Sequence, residues 1–546
     1  MGVSPRKAKQ PSCSPAKRRA KRLKDPRKRK AALKAASKRC KTAAETKAPS
    51  ALMAPAAVAK APLPQGTQPA AVHVAPAASG PVTAAAPAPA PAAAGAAAGL
   101  IDSPIAKFAG AFGRRQAERL LWRAGFGPRP GQAATVAAMG LEAAVAMLTR
   151  PAGSAALVGP APAINGKALD PLATWGHDHL WWLDRMVRSE HQLVERMALI
   201  FHDWFAVNSD GVGSTPHMLQ QNNLFRAQGL GSFVDLVRAV TTDPAMLVFL
   251  SGINNRKGMP NENYARELME LFTLGPDRGA YTETDVRELA RALTGWRGEF
   301  VRGTGWINFR YDAANSWDPG TKTVFGQSGA FTWEDAVRLV TTHPMHPSFF
   351  VRKLWSAFIP KPPDATTQAA LERRYVDSGR QIRPIVEAIL CSPQFYEGPW
   401  MVKPPVVFAA GLLRATGQGV DQTAYEWACT GSGQRLFFPP DVSGWDETRW
   451  MNTGSLRGRW DLVNYALAAK SITSTTWATF PVQTAAEAVA SARAFWNDPP
   501  LRSETIQSLT TWAGTCIGTS VKPALHAQRQ NALRMLIGTS ADHATC

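Results

Sequence analysis

Residues 254–296, NNRKGMPNENYARELMELFTLGPDRGAYTETDVRELARALTGW, constrain the fold more than any other stretch of the chain, because they read as two amphipathic helices joined by a tight loop. Stepping round the first at about 100° per residue gathers Tyr264, Ala265, Leu268, Met269, Leu271 and Phe272 on one side. Glu262, Asn263, Arg266, Glu267 and Glu270 take the other side. Pro260 falls in the first turn, where a missing N–H costs nothing, and Gly275 follows the last apolar residue as a stop. The second helix opens on Thr282 with Asp285 three residues later, the spacing of a capping box. Val286, Leu289, Ala290, Leu293 and Trp296 form its apolar side, Arg287, Glu288 and Arg291 its polar side. The short GPDRGAY connection makes the pair an antiparallel hairpin.

Helical spacing or helix caps recur at 113–124, 131–149, 171–188, 190–206, 217–228, 232–250, 333–342, 346–359, 365–378, 382–391, 401–416, 455–471, 484–496 and 526–538. Strand-like alternation is confined to 299–327. The expected fold is all-α, a multi-helical irregular bundle with a small β insertion, and no repeat period points to a solenoid.

Charge divides the chain. Residues 1–50 hold eighteen Lys and Arg against Asp25 and Glu45, a net of +16, whereas the remainder carries only +5. Basicity is therefore a property of a tail, residues 1–47, and not of the globular part. Residues 48–99 consist almost wholly of Ala, Pro, Val and Gly and read as a semi-extended linker. Residues 100–546 form the helical domain, long enough for two subdomains. Within the tail, Asp25-Pro26 breaks two basic helical segments, placing Cys13 and Cys40 at the open end of a hairpin that a disulfide would staple. A basic disordered arm is the alternative reading. Either form grips polyanions non-specifically: nucleic acid, anionic lipid or an acidic wall polymer. No aromatic residue in the first fifty offers a stacking surface for bases.

The first fifty residues contain no secretory apolar run, and the sequence has no 18-residue apolar span, so the expectation is no transmembrane segment and a cytoplasmic default. Cys429, Cys516 and Cys546 are free to bridge in an oxidising compartment, while Cys391, beside Ile389 and Leu390, reads as a core thiol.

The string PNENYARELMELFTLG followed by YTETDVRELARALTGW resembles the signature of a bacterial domain-of-unknown-function family, number 1800 (DUF 1800). RLLWRAGFGPRP, DPAMLVFLSG, KTVFGQSGAF, HPSFFVRKLW and FPPDVSGWDETRWMNTGSL are similar to further family segments in the same order, so the likeness spans about residues 112–540. The resemblance implies no assigned activity, though similar proteins are often exported. Many members look like FWHxHF where this chain has IFHDWF, so His202 matches the first histidine and Trp204 replaces the second.

Candidate chemistry starts with the carboxylate stripe. Glu262 and Glu267 are candidate acid and base, joined by His202 and Asp203 in a metal-assisted hydrolase reading. Asn261, Asn263, Arg266, Glu270, Arg287 and Arg291 would line the same groove. Against this, the stripe can simply pair with Arg287 and Arg291 across the hairpin. His177 and His179 lie about 200° apart on a helix and cannot share an ion, and His343 and His346 flank prolines as helix-bordering residues. The SGWDETRWMNTGS loop offers a polar ligand site through Trp445, Arg449 and Asn452, since tryptophan faces suit sugars and polymer chains. Metal and cofactor stay unassigned. The sequence thus supports a helical binding or assembly protein with a polyanion-binding tail, and alternatively a hydrolase.

Overall fold

Capping residues and prolines set the helix boundaries. Asp243 accepts a hydrogen bond from the Met246 N–H (3.0 Å) and Pro244 starts a new helix behind it, so the expected 232–250 helix is two, Phe233–Thr241 and Pro244–Phe249. Gly140, with φ +78°, likewise divides 131–149 into Gln132–Met139 and Leu141–Thr149, which meet at 114°. Thr332 with Asp335 and Thr282 with Asp285 close the capping boxes their spacing predicts, opening Trp333–Thr342 and Glu283–Ala292.

The computed structural model describes residues 101–546. The basic tail, the Cys13–Cys40 hairpin and the linker all fall on residues outside those described. The described residues are predominantly helical, with three two-stranded antiparallel pairs. Trp296–Val301 pairs with Gly305–Tyr311, and Lys322–Val324 pairs with Gln327–Gly329, so the expected β insertion is two hairpins. A third hairpin, Ala163–Ile164 with Lys167–Ala168, turns on Asn165 and Gly166, both at positive φ. The helices Ala424–Gly431 and Ser503–Thr515 lie outside the expected set. No single helix among the described residues is long and apolar enough to cross a membrane.

An aromatic cluster holds the centre. Phe233 meets Phe350 at 4.8 Å between ring centroids, Phe350 stacks on Tyr375 at 4.0 Å, and Phe205 meets Phe272 edge-on at 5.1 Å. Each such ring, fully buried, contributes about 1.5–3 kcal/mol of apolar transfer free energy. His346 lies wholly inside this cluster, its Nδ1 2.8 Å from the Thr273 carbonyl and its Nε2 2.9 Å from the Tyr375 hydroxyl. It opens the His346–Ser356 helix, and His343 ends the preceding one, as their prolines suggest. Cys391 is buried as expected; Cys429, Cys516 and Cys546 are free thiols and no disulfide joins them.

The signature helix departs from the expected regular form. It runs as α-helix only over Asn263–Glu267, so Pro260 precedes it, and then widens into a π-helix over Leu268–Thr273. The Leu274 N–H reaches back five residues to the Met269 carbonyl (2.8 Å). Such a wide turn leaves side chains out of α register and frees carbonyls for other donors.

Candidate functional site

Those freed carbonyls help organise a place where charges of both signs gather inside the body. Leu271 O accepts from Lys353 Nζ (2.9 Å), Phe272 O from Trp204 Nε1 (3.0 Å), and Thr273 O faces His346. The carbonyl end of a helix carries partial negative charge, which favours the Lys353 ammonium by about 0.3–1 kcal/mol. The same ammonium sits 4.8 Å over the Trp204 ring.

Trp204 and Asp203 end the Gln192–Trp204 helix, and consecutive residues there point about 100° apart. His202 therefore turns into the core, 5.3 Å from Trp182 and 5.6 Å from both Phe437 and Trp445. Burial pushes its imidazole down to about 3, so it is neutral, and its Nε2 has no partner. Asp203 turns the other way, into a cleft of about 110 Å³ lined by Arg196, Trp204, Lys353, Glu447 and Trp450.

A tight loop holds Asp203. Its Oδ1 accepts from the Trp445 backbone N–H at 2.7 Å. Gly444 makes that approach possible: it sits at φ +93°, and a Cβ there would fall 2.2 Å from the same oxygen. Burial raises the Asp203 carboxyl above its ordinary range, with the Trp445 N–H pulling the other way, and burial lowers the Lys353 ammonium below its own. Arg196 lies two turns before Asp203 on the same helix, 3% exposed, with Nε and Nη1 unpartnered and its guanidinium brought down to about 10 by burial. Glu447 stands at the exposed mouth. No ion pair within 4 Å joins any of these four. Buried charges are ordinarily paired, since desolvation costs several kcal/mol per ion.

The other residues singled out from sequence lie elsewhere. Arg266 bridges the hairpin to Glu283 (2.7 Å) and holds Glu262 (3.1 Å), so the stripe does pair across the hairpin, but through Arg266. Arg287 is exposed against the Glu283 carbonyl, and Arg291 holds Asp318 and Glu288, both at 2.8 Å. Glu267 is half-buried, its carboxyl raised by burial and by Glu270. Asn261 turns the chain, accepting from the Asn263 N–H (3.0 Å) and donating its own N–H to Asn255 Oδ1 (2.9 Å). None of these lines the cleft. In the 441–455 loop, Trp445 buries its ring against His202, Arg449 pairs with Asp446 at the surface (3.0 Å), and Asn452 caps the Thr453–Ala468 helix. Among the described residues, no three His, Cys, Asp or Glu side chains form a metal-holding group.

Sequence reading passed over Arg196, Lys353 and Glu447, while Trp450 belongs to the loop it marked as a ligand site. Lys353 stands beside Arg352 among Phe349, Phe350, Leu354 and Trp355, so the sequence alone does not separate the inward cation from the outward one.

A family model described as "Protein of unknown function (DUF1800)" matches residues 119–542. No curated protein and no solved structure matches the chain. The matched segment takes in the signature hairpin, the Asp203 helix, the Lys353 helix and the Gly444 loop, and the chain belongs to the DUF1800 family.

Proposed function

We propose that the helical body is an acid–base enzyme of the hydrolytic class, with its reaction centre in the cleft between Asp203 and Lys353. The observation that carries this reading is a set of desolvated charges of opposite sign that face one cavity without pairing. Arg196 and Lys353 supply donors to a carbonyl or anionic oxygen of the substrate, where charge builds in the transition state. Asp203, its carboxyl raised toward neutrality, takes a proton from the attacking water and returns it to the leaving group. Trp204 and Trp450 wall the substrate from bulk water. His202 takes no proton in this scheme; it fixes the helix end that aims Asp203. Glu262 and Glu267 serve the hairpin.

The tail adds a tether. Eighteen Lys and Arg within fifty residues favour a polyanionic surface, so the reading is of an enzyme body held beside nucleic acid, anionic lipid or acidic wall polymer.

The test is a panel of chromogenic carboxyl esters and peptide anilides, run on wild type, Asp203→Asn and Lys353→Met, with thermal melts of each. The expected result is turnover of at least one substrate by wild type and a loss of about a hundredfold or more in both variants, with melts preserved. Wild-type protein inert to the whole panel, or rates unchanged in both variants, overturns the reading.

A further inference from the structure

A second cavity, of about 400 Å³, shares no lining residue with the Asp203 cleft. That volume falls in the range of roughly 300–1,000 Å³ usual for small-molecule sites. Beside it two tryptophans lie open to solvent: Trp175 and Trp427, each 59% exposed, with ring centroids 4.9 Å apart and planes inclined at 37°. Leaving two adjacent indoles in water forgoes apolar transfer energy that the core would otherwise collect.

The ledge is held in place. The Arg435 guanidinium lies 5.0 Å over the Trp175 ring and 3.6 Å over Phe438, and its Nε is 2.7 Å from a carboxylate oxygen of Glu426, which is 2% exposed. Gly176, at φ +77°, turns the chain directly after Trp175 into the His177–Arg188 helix. The aromatic edge is thus fixed by charge and turn geometry, which limits the entropy a ligand must remove on binding.

The polar lining selects the ligand. Asp178, Asp210, Ser209 and Thr215 border the cavity, and Glu426 already pairs with Arg435. Asp178 and Asp210 face the single cation of the lining, Arg435, which Glu426 already pairs through Nε, so the wall is acceptor-rich and net acidic, which disfavours phosphates, carboxylates and nucleic acid. Many hydroxyl donors next to a flat C–H face is the chemistry of a neutral sugar ring, whose apolar side stacks on indole while its hydroxyls reach carboxylates.

We infer that this cavity, with the Trp175–Trp427 ledge at its edge, binds a pyranose unit of a neutral glycan. The site is independent of the Asp203 cleft, so failure of the enzyme reading leaves it untouched.

Intrinsic tryptophan fluorescence with cellotetraose, maltotetraose and chitotetraose tests it on the full chain. The expected result is saturable quenching by at least one of the three. Binding should weaken about tenfold or more in the Trp175→Ala/Trp427→Ala double variant and in Asp178→Asn, and stay at the wild-type level in Asp203→Asn. Since removal of the ledge also removes its fluorescence, the double variant is read by calorimetry, and a thermal melt confirms its fold. Absence of binding by all three glycans at millimolar concentration, or wild-type affinity in the double variant, overturns the inference. So does capture of a proline-rich decapeptide in place of every glycan.

Discussion

The hairpin of residues 263–292 and the Asp203 cleft both set carboxylates beside cations, guanidinium groups alone on the hairpin and a guanidinium with an ammonium in the cleft, yet they differ in what each charge meets. On the hairpin Arg266 reaches Glu262 and Glu283 at the surface, and Arg291 reaches Glu288 on its own helix and Asp318 in the following loop. In the cleft Arg196, Asp203 and Lys353 are desolvated and no ion pair joins them; Asp203 meets a backbone N–H, and Lys353 a backbone carbonyl and the Trp204 ring. Pairing in water contributes little, and isolation out of water costs several kcal/mol, so only the second arrangement asks for an explanation beyond stability.

Gly444→Val strikes the cleft hardest and leaves the hairpin alone. The new Cβ collides with Asp203 Oδ1 at a backbone angle that disfavours side chains, and unfolding in denaturant should show a loss of about 3 kcal/mol. A neutral result would mean that the loop does not press on Asp203.

Next comes pH. The His202 imidazole is depressed in the folded state, so the unfolded chain takes up its proton first and stability falls from about pH 6.5 downward. Replacing it with leucine removes that loss; between pH 7 and pH 5 the variant should lose about 2 kcal/mol less than wild type in paired denaturant titrations. Equal losses would place the imidazole in contact with water.

Asp203→Asn should raise stability by about 1 kcal/mol while turnover falls by about a hundredfold or more, the signature of a residue kept for function at the expense of folding. The amide can still accept the Trp445 N–H, so a marked fall in melting temperature would assign Asp203 a structural task. The smallest effect belongs to Arg266→Gln on the hairpin. Its melting temperature should stay near wild type and be indifferent to added salt, since the partner Glu283 is fully open to solvent.

Local chemistry was legible in the chain. The capping pairs Thr282 with Asp285 and Thr332 with Asp335 need only three-residue spacing, and both formed. The small hairpin at 163–168 and the break at Pro244 went unread, because strand-like alternation was sought only in longer runs and the apolar period continues across Asp243-Pro244. The π-helix was illegible because its apolar residues fit a 3.6-residue period well enough to hide an extra one. The cleft was illegible for another reason: Asp203, Lys353 and Glu447 stand far apart along the chain, and nothing in their spacing says they meet. His202 and Asp203, taken as one unit because they adjoin, point about 100° apart on their helix, one into the core and the other into the cleft.

The widened turn at Leu268–Thr273 sends three successive carbonyls to three different visitors: an ammonium, an indole and an imidazole. Length, more than composition, is therefore what this stretch encodes. Deleting one of its residues would turn and shift these three end carbonyls against the side chains that meet them, disturbing the cleft without touching a residue that lines it.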